Sequence, residues 1–407
     1  MAAPPAERPG QGRYLEILKL PDIRAAIVVT FVVMLGYGII APVLPLYARS
    51  FGVGYDSVGL LVAAFGLARL FFDPFAGNLV DRYGPRAMAT TGSIIVGISS
   101  ALAAIAPNFP LLVVFRGAGG AGSSIFFAAV LSYVLAVAPK DRVGQVMGVY
   151  FGAFNIGIIL GQPVGGVIAR LFGLASPLMV YAGSCFLSAW LFLRWMHDPV
   201  REAPDDAAPR GLRAIRWDRP FVTTLVVNAA YSWFIAAVIS TLIPLFGHDR
   251  VGLSEIGIGA ALAVELLAEL VVLFPAGRAA DRLGRKHVLV PSLLTLGASV
   301  AVLGLAGAPS WFFLAMVPLG IASGVAGVPP AVMLSDVMPA RASGTAVGIF
   351  RFVGDLGFLS GPLVAGVVAA RYGFGPAFVV SSIPCVIAVG MLLTIRDTLL
   401  PRPGDVG

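Results

Sequence analysis

The sequence contains twelve stretches of about 20 or more mostly apolar residues, each long enough to cross a bilayer as a helix. They cover residues 25–47, 56–80, 87–106, 110–136, 143–168, 174–194, 220–246, 255–280, 287–307, 310–337, 343–369 and 375–396. Strands of a transmembrane barrel would alternate in polarity over about ten residues, and these stretches do not. With 58% hydrophobic residues, 12% charged residues and a mean hydropathy of +0.91, an ordinary soluble domain is excluded. We therefore predict an all-α membrane protein with twelve transmembrane helices.

The placement of basic residues predicts the orientation in the bilayer. Of the 28 Lys and Arg residues, 21 fall on the side that holds both termini, four fall in loops on the other side, and three lie within helices. Basic loops stay in the cytoplasm, so we expect a multi-pass protein of the inner cell membrane with both termini cytoplasmic. This distribution explains the net charge of +7 without a nucleic-acid partner. The two cysteines and three histidines are too scattered to predict a disulfide framework, a metal site or a cofactor.

Polar breaks predict the domain organisation. We expect a cytoplasmic tail over 1–23, a six-helix bundle over 24–194, a cytoplasmic linker over 195–219, a second six-helix bundle over 220–396 and a tail over 397–407. A signal peptide is not expected, because the first apolar run is full length and no small-residue cleavage site follows it.

The two bundles repeat each other at an offset of 200 residues without a gap. Most identities are glycines, which mark close backbone contact. They include Gly77/Gly277, Asp81/Asp281, Arg82/Arg282, Gly97/Gly297, Gly120/Gly320, Pro139/Pro339, Gly144/Gly344, Gly148/Gly348, Gly157/Gly357, Gly161/Gly361 and Gly166/Gly366. A duplicated six-helix bundle is typical of transporters built from two pseudo-symmetric units that rock about a central site. A monomer is expected, because the duplication already supplies both halves.

The longest repeated phrase joins two spans in each half. It is formed by Gly77, Asp81, Arg82, Gly84 and Arg86, and again by Gly277, Asp281, Arg282, Gly284, Arg285 and Lys286. We expect the first glycine of each phrase to let its helix end lie against a neighbour, and the second to stop the helix with positive φ. The basic residues are expected to interact with the last carbonyls of the helix that they follow.

These phrases resemble the cytoplasmic hairpin motif of the major facilitator superfamily, and the whole chain fits that family. Pro85 replaces a basic residue in the first copy, whereas the second copy is complete. Arg116 and Gly120 resemble the helix-four motif, and Leu35-Gly36 with Pro42-Val43-Leu44-Pro45 resembles the helix-one signature of twelve-helix drug:proton antiporters. The helix-five antiporter motif is matched by Gly148, Gly157, Gly161, Pro163, Gly165 and Gly166, with Gln162 inserted before the proline.

The resemblance implies that the hairpin motif joins the two halves on the cytoplasmic side. It also implies that the helix-five glycines shape the contact between the halves. Ordinary helix packing is the alternative interpretation of those glycines, since small residues four apart are common in membrane bundles.

Seven ionisable residues lie well inside predicted helices, namely Arg69, Asp73, Arg116, Glu265, Glu269, Arg351 and Asp355. Facing lipid, each would cost about 2.5–3.5 kcal/mol, so all seven must face the bundle interior or a wet cavity. Counted from the cytoplasmic ends, Asp73 matches Arg351 in depth and Arg69 matches Asp355. We hypothesise that these two cross-half ion pairs form an interdomain gate. Pairing within each helix is the alternative, because the partners are also four residues apart.

Glu265 and Glu269 share one face of predicted helix eight, which contains no cation of its own. Two nearby carboxylates in a low-dielectric site cannot both ionise cheaply, so we expect one of them to exchange a proton during transport. Glu269 is the predicted proton carrier, and Glu265 is a substrate contact or second carrier. In the alternative interpretation, Glu269 has a structural partner such as Arg116.

Polar and aromatic residues of several predicted helices are candidates for a central cavity, where aromatic faces and carboxylates would suit flat lipophilic cations. Packing or lipid contact is the alternative for each one. The candidates are Tyr37, Phe126, Phe127, Asn155, Asn228, Tyr231 and Trp233.

The favoured function is secondary active transport, with export of a small amphipathic or lipophilic compound coupled to the proton gradient by alternating access. The alternative within the family is a proton-coupled importer or a facilitator of a small metabolite. A membrane enzyme is disfavoured, because the sequence offers no nucleophile–base pair, metal cluster or complete phosphate loop. A signalling scaffold would not need charges inside its helices.

Overall fold

The computed structural model describes residues 20–139, 143–197, 215, 217–327, 329–337 and 343–398. The described residues form helices and no strands. The helices are α1 Pro21–Ile40, α2 Tyr55–Tyr83, α3 Pro85–Ala104, α4 Phe109–Val137, α5 Val143–Phe172, α6 Ser176–Trp195, α7 Arg219–Asp249, α8 Glu255–Leu283, α9 Arg285–Leu303, α10 Pro309–Gly327 continued by Pro329–Val337, α11 Ser343–Tyr372 and α12 Phe374–Leu393. The predicted tails and linker lie largely outside the described residues.

Twelve of these helices or helix runs are long and apolar enough to cross a membrane, which confirms the predicted fold class. The predicted and observed ends differ by a few residues, because a helix continues into its polar last turn whereas hydropathy does not. The chain is therefore a multi-pass membrane protein built from two related bundles, α1–α6 and α7–α12.

The backbone repeats with the sequence. Among the described residues, positive φ occurs only at glycines, and the six glycines form three pairs 200 residues apart: Gly52/Gly252, Gly84/Gly284 and Gly173/Gly373. Gly84 and Gly284, with φ of 92° and 99°, separate α2 from α3 and α8 from α9 as single residues. This confirms the predicted helix stop, because other residues rarely adopt this conformation.

Helices α1 and α7 are interrupted at corresponding places. After Ile40 the chain turns and resumes as the short helix Leu44–Arg49, whereas α7 widens into a π-helix over Phe234–Leu242. Each interruption precedes a proline, Pro45 or Pro244, which lacks an N–H and clashes with the carbonyl four residues earlier. In α7, Ser240 and Thr241 donate hydrogen bonds to carbonyls five residues back, at 3.0 and 2.8 Å.

The two bundles meet along α2–α11 and α5–α8. We call the end of the molecule at Gly84 and Gly284 the motif face, and the end at Gly52 and Gly252 the far face. Near the far face, a Cβ on Gly366 would lie 2.5 Å from the Tyr55 carbonyl, and one on Gly259 would lie 2.6 Å from the Gln162 carbonyl.

The corresponding glycines of the motif face have no such neighbours. In the part of the chain that the structure describes, no heavy atom outside the local helix backbone lies within 4 Å of a Cβ built on Gly77 or Gly277. The close helix contact predicted for these two glycines is therefore not formed in this conformation. Among the described residues, Gly366 and Gly259 are in close contact with the other bundle at the far face, whereas Gly77 and Gly277 at the motif face are not.

Candidate functional site

The seven charged residues predicted to avoid lipid are placed between or within the bundles. Arg116, Glu265 and Asp355 are buried, with 3%, 2% and 8% of their surface exposed. Arg69 and Asp355 form an ion pair at 3.4 Å between Nη2 and Oδ1, which joins α2 to α11 across the two halves. The Arg69 guanidinium also lies 5.8 Å from the centre of the Phe127 ring.

The second predicted pair differs. Between the described side chains of Asp73 and Arg351 there is no ion pair within 4.0 Å, and neither intrahelical alternative forms one. Asp73 instead accepts a hydrogen bond from the Ser124 hydroxyl of α4, and its carboxyl group lies near that of Asp355. Equal depth in the membrane therefore identified the Arg69–Asp355 pair correctly. It did not identify the partner of Asp73, because Asp73 bonds Ser124 of α4.

Glu265 and Glu269 lie on the inner face of α8. Glu269 accepts a hydrogen bond of 3.0 Å from the Ser323 hydroxyl, which lies 3.4 Å from the Tyr231 hydroxyl. Oε1 of Glu265 is buried without a hydrogen-bond partner. Neither carboxylate forms an ion pair with any described cation, and the ionisable side chains beside Arg116 are Tyr37, Tyr181 and Cys185. The structural partner of Glu269 is thus a serine and not Arg116.

The repeat places Glu269 at the position equivalent to Arg69 of the ion pair. Arg69 and Glu269 are 200 residues apart, as are Asn155 and Asp355. Glu269 and Asn155 line the same narrow gap between α8 and α5. One interface therefore contains an arginine facing an aspartate, whereas its pseudo-symmetric counterpart contains a glutamate facing a neutral amide.

The predicted cavity residues lie in different surroundings. Tyr37 lines a small central cavity with Arg116, while Asn155 and Tyr231 lie beside Glu269 and Ser323. Phe126 is only 2% exposed and stacks against two other rings, so it is a packing residue.

The remaining candidates hold elements together or face an interface. Asn228 donates a hydrogen bond of 2.8 Å to the Phe350 carbonyl and ties α7 to α11 within one bundle. Phe127 contacts Phe154 and Arg69, and Trp233 is partly buried with Nε1 unpartnered. These contacts place Phe127 at the α2 side of the interior.

Two basic residues of the hairpin phrases bind the end of a helix other than the one that they follow. Arg86 donates to the Leu193 carbonyl at the end of α6, at 2.5 Å, and Lys286 donates to the Leu393 carbonyl at the end of α12, at 3.4 Å. The two contacts are equivalent in the repeat. The expected interaction with helix-end carbonyls therefore occurs, but with the sixth helix of each bundle, because the positive-φ glycine redirects the chain away from α2 and α8.

The second copy has an additional partner that sequence reasoning missed. Asp397 accepts hydrogen bonds from the Arg285 and Lys286 backbone amides, at 2.9 and 3.1 Å, and so caps the first turn of α9. Arg285 also pairs with Asp336 at 3.3 Å. The side chain of Asp281 lies outside the described residues.

The helix-five glycines divide between two roles. A Cβ on Gly157, Gly161 or Gly165 would meet α1 of the same bundle, at Leu35, Gly38 or Ile39. Gly166 instead contacts the Glu255 backbone of α8, and Gly259 contacts Gln162 and Pro163. The expectation that these glycines shape the half-to-half contact is therefore wrong for the first three, which pack within their bundle.

A far-face latch, formed by Arg49, Tyr55 and Asp249, also escaped sequence reasoning. The Tyr55 hydroxyl donates to Asp249 at 2.7 Å, Arg49 lies 3.9 Å from the same carboxylate, and its guanidinium lies 4.7 Å from the Tyr55 ring centre. The sequence held a sign of it, since Arg49 is one of only four basic residues in the predicted outer loops.

Comparisons with known proteins give the same assignment. The family model of the Major Facilitator Superfamily matches residues 26–264 and 250–406. Quinolone resistance protein NorA of Staphylococcus aureus is 29% identical over 236 residues, which is 57% of this chain and 60% of that protein. An uncharacterised MFS-type transporter of Methanocaldococcus jannaschii is 24% identical over 91% of this chain and 96% of its own.

Solved structures show the same fold. A bacterial homolog of the human lysosomal transporter Spinster, in an inward-facing and occupied conformation, superposes with a TM-score of 0.78 at 16% identity, covering 95% of this chain and 97% of that one. The nucleoside transporter NupG gives 0.77 at 14% identity, covering 92% and 99%. Members of this family are transporters and not enzymes. With the family model covering nearly the whole chain, the protein belongs to the major facilitator superfamily.

Proposed function

We propose that this transporter exports small amphipathic or lipophilic compounds across the cell membrane in exchange for protons. The observation that supports this most directly is the pair formed by the buried Glu265 and the partly buried Glu269, which lies beside the interface between the bundles without a cationic partner among the described residues. A carboxylate in such a place is stabilised when it takes up a proton and destabilised when it loses one without access to water.

The arrangement suggests how a proton and the bundle motion are coupled. Glu269 lies on α8, where α8 faces Asn155 of α5. Deprotonated Glu269 requires water and therefore favours a conformation in which this interface is open to an aqueous side. Protonated Glu269 keeps its hydrogen bond with Ser323 and tolerates closure of the interface. Proton binding on one side and release on the other would thus bias the two orientations of the bundles.

The direction of transport and the membrane are part of the proposal. The excess of basic residues at the motif face supports a cytoplasmic motif face, and the similarity to a quinolone resistance protein supports export. The driving force suffices in principle, because one charge crossing 100 mV supplies about 2.3 kcal/mol, enough for a gradient of roughly fifty-fold.

Reconstitution in proteoliposomes tests the proposal. An imposed pH gradient should drive uptake of compounds from an amphipathic panel into vesicles with an acidic interior, in protein oriented with the motif face outward. Glu269→Gln should abolish the dependence on the gradient while folding normally, because the amide cannot exchange a proton. Glu255→Gln, which removes a carboxylate from the first turn of the same helix, should retain it.

Two results would count against the proposal. Wild-type protein that moves compounds only down their own gradients would exclude proton coupling, and unchanged coupling in Glu269→Gln would exclude Glu269 as the proton carrier. The gradient is imposed with and without an ionophore, so that a leak is separated from coupled transport.

A further inference from the structure

A small cavity lies between the bundles at the level where α1 and α7 are interrupted. Its volume is about 20 Å³, room for about one water molecule. The lining comes from both halves and includes Tyr37, Ala41 and Arg116 on one side and Ser240 and Phe358 on the other. Interrupted helices that border a cavity are a frequent feature of substrate sites in secondary transporters.

Arg116 is the charged residue of this cavity. It is 3% exposed, and its Nε and Nη1 atoms are buried without hydrogen-bond partners. The ionisable side chains near it are Tyr37, Tyr181 and Cys185, none of which is an acid that would balance the charge. Because a guanidinium cannot lose its proton in a protein, Arg116 is a buried cation without a counter-ion among the described residues.

The contacts of Arg116 favour a planar anion. Its guanidinium carbon lies 4.2 Å from the centre of the Phe65 ring, so the ring faces the cation and leaves N–H groups free for another partner. Five N–H donors in a fixed fork match a carboxylate, which can accept two of them at once. An aromatic compound could extend this stacked arrangement.

The repeat places a carboxylate in the second bundle where the first bundle has the aromatic ring that contacts Arg116. Phe65 corresponds to Glu265 and Arg116 to Met316, each at an offset of 200. The packing confirms this equivalence: a Cβ on Gly120 would lie 3.0 Å from the Ala68 Cβ, and one on Gly320 would lie 3.0 Å from the Ala268 Cβ. The interior thus contains an unpaired cation in one half and unpaired carboxylates in the other.

We propose that Arg116 binds a carboxylate of the exported compound, and that the exported compounds include amphoteric aromatic molecules whose amine is held by Glu265. This rests on the proposed function, since it names a substrate class for the same transporter. Such a compound supplies the anion that Arg116 lacks and the cation that Glu265 lacks. The small cavity takes the carboxylate end of the molecule.

Equilibrium binding to the purified full-length protein tests the subsite without any gradient. The probes are radiolabelled 4-(piperazin-1-yl)benzoic acid and its methyl ester, which share the amine and the ring and differ in the anion. Wild-type protein should bind the acid at least tenfold more tightly than the ester. Arg116→Gln should reduce this ratio to about one. Arg170→Gln, which removes an exposed cation from the last turn of α5, should keep it.

A competition experiment keeps the proposal falsifiable if Arg116→Gln fails to fold. In wild-type protein, benzoate should displace the bound acid at least tenfold more effectively than benzamide does. Equal displacement, a wild-type acid-to-ester ratio near one, or an unchanged ratio in folded Arg116→Gln would each overturn the proposal.

The anion could also be a free inorganic ion, so binding is repeated with gluconate in place of chloride. If Arg116 holds chloride, the acid and ester will bind alike and both will depend on chloride, which overturns the assignment. The outcome is separable from that of the proposed function. Proton-driven export without a preference for the acid over the ester would contradict only the proposed Arg116 subsite. A preference for the acid without proton-driven export would contradict only the proposed proton coupling.

Discussion

Arg69 and Asp355 lie in predominantly apolar helices, and each provides a charge that makes the other tolerable. Their side chains are 23% and 11% exposed, so the pair is partly shielded from water. Asp73 brings a second carboxyl group to the same place, supported by Ser124. Removing one of these side chains leaves an uncompensated charge in the interface, and the free-energy cost of that charge exceeds the net contribution of the ion pair to stability.

This predicts a dependence on charge pairing between the halves. Arg69→Gln and Asp355→Asn should each reduce transport at least tenfold, because an uncompensated charge remains in the α2–α11 interface. The exchanged double variant Arg69→Asp with Asp355→Arg should recover part of the rate. Initial transport rates in proteoliposomes and thermal inactivation of the purified variants check this.

The matched control is Arg371→Gln, which removes an exposed cation from the last turn of α11 and should leave the rate near that of wild type. Losses that simply add in the exchanged variant would show that the two side chains act independently.

Sequence reasoning reached part of this site. Counting residues gives the depth of a side chain in the membrane, and depth was enough to match Arg69 with Asp355. It does not give the direction in which a side chain points around its helix, and so it could not reveal that Asp73 contacts Ser124. It also could not show that Glu269 bonds Ser323, because that contact depends on how α8 and α10 cross.

At the scale of helices, the sequence predicts the number and order of the spans well, but it predicts breaks within a helix poorly. Twelve apolar runs became twelve spans, because the bilayer requires about 20 apolar residues of any helix that crosses it. The π-helix over Phe234–Leu242 was not predicted, since its residues are as apolar as those of a regular helix. Pro244 is the one local sequence feature that accompanies the π-helix. A proline alone does not predict such a break, because Pro163 lies in α5 without interrupting the helix.

Glycines at the two faces should act in opposite directions if the bundles rock. A leucine at Gly366 would clash with the Tyr55 backbone and prevent closure of the far face, whereas Gly77 has space in this conformation. We expect Gly366→Leu to hold the far face open. Gly77→Leu should hold the motif face open, because there α2 must approach its neighbours when that face closes. Both variants should lose transport.

Pulsed electron spin distance measurements distinguish the two outcomes. Label pairs at Phe172/Tyr372 and at Tyr83/Leu283 report on the far face and the motif face, and all four side chains are exposed. The buried Cys185 and Cys385 are replaced by serine to remove native thiols. Distance changes of the same sign in both variants would argue against rocking.

At the scale of the whole molecule, the halves repeat their backbone and differ in their chemistry. Positive-φ glycines and helix-end contacts recur 200 residues apart, whereas Arg69 corresponds to Glu269, Asp355 to Asn155 and Phe65 to Glu265. Repetition of the backbone lets both halves move as similar rigid units. The differing side chains allow one interface to be held by an ion pair while the other responds to protonation.

The far-face latch determines how stable the observed conformation is, because Arg49 and Tyr55 come from one half and Asp249 from the other. A hydrogen bond to a carboxylate contributes about 1.5–3 kcal/mol when shielded, and less here because Arg49 is half-exposed. We therefore expect Asp249→Asn or Tyr55→Phe to shift the equilibrium toward the far-face-open conformation by about tenfold. The Phe172/Tyr372 label pair should show a larger population of long distances, and the Tyr83/Leu283 pair a larger population of short ones.

Thr295→Ala, a change in α9 away from both interfaces, should leave both distance distributions unchanged. If Asp249→Asn broadens neither distribution, closure of the far face depends on the Gly366 and Gly259 backbone contacts alone, and the latch contributes nothing to the balance between the two conformations.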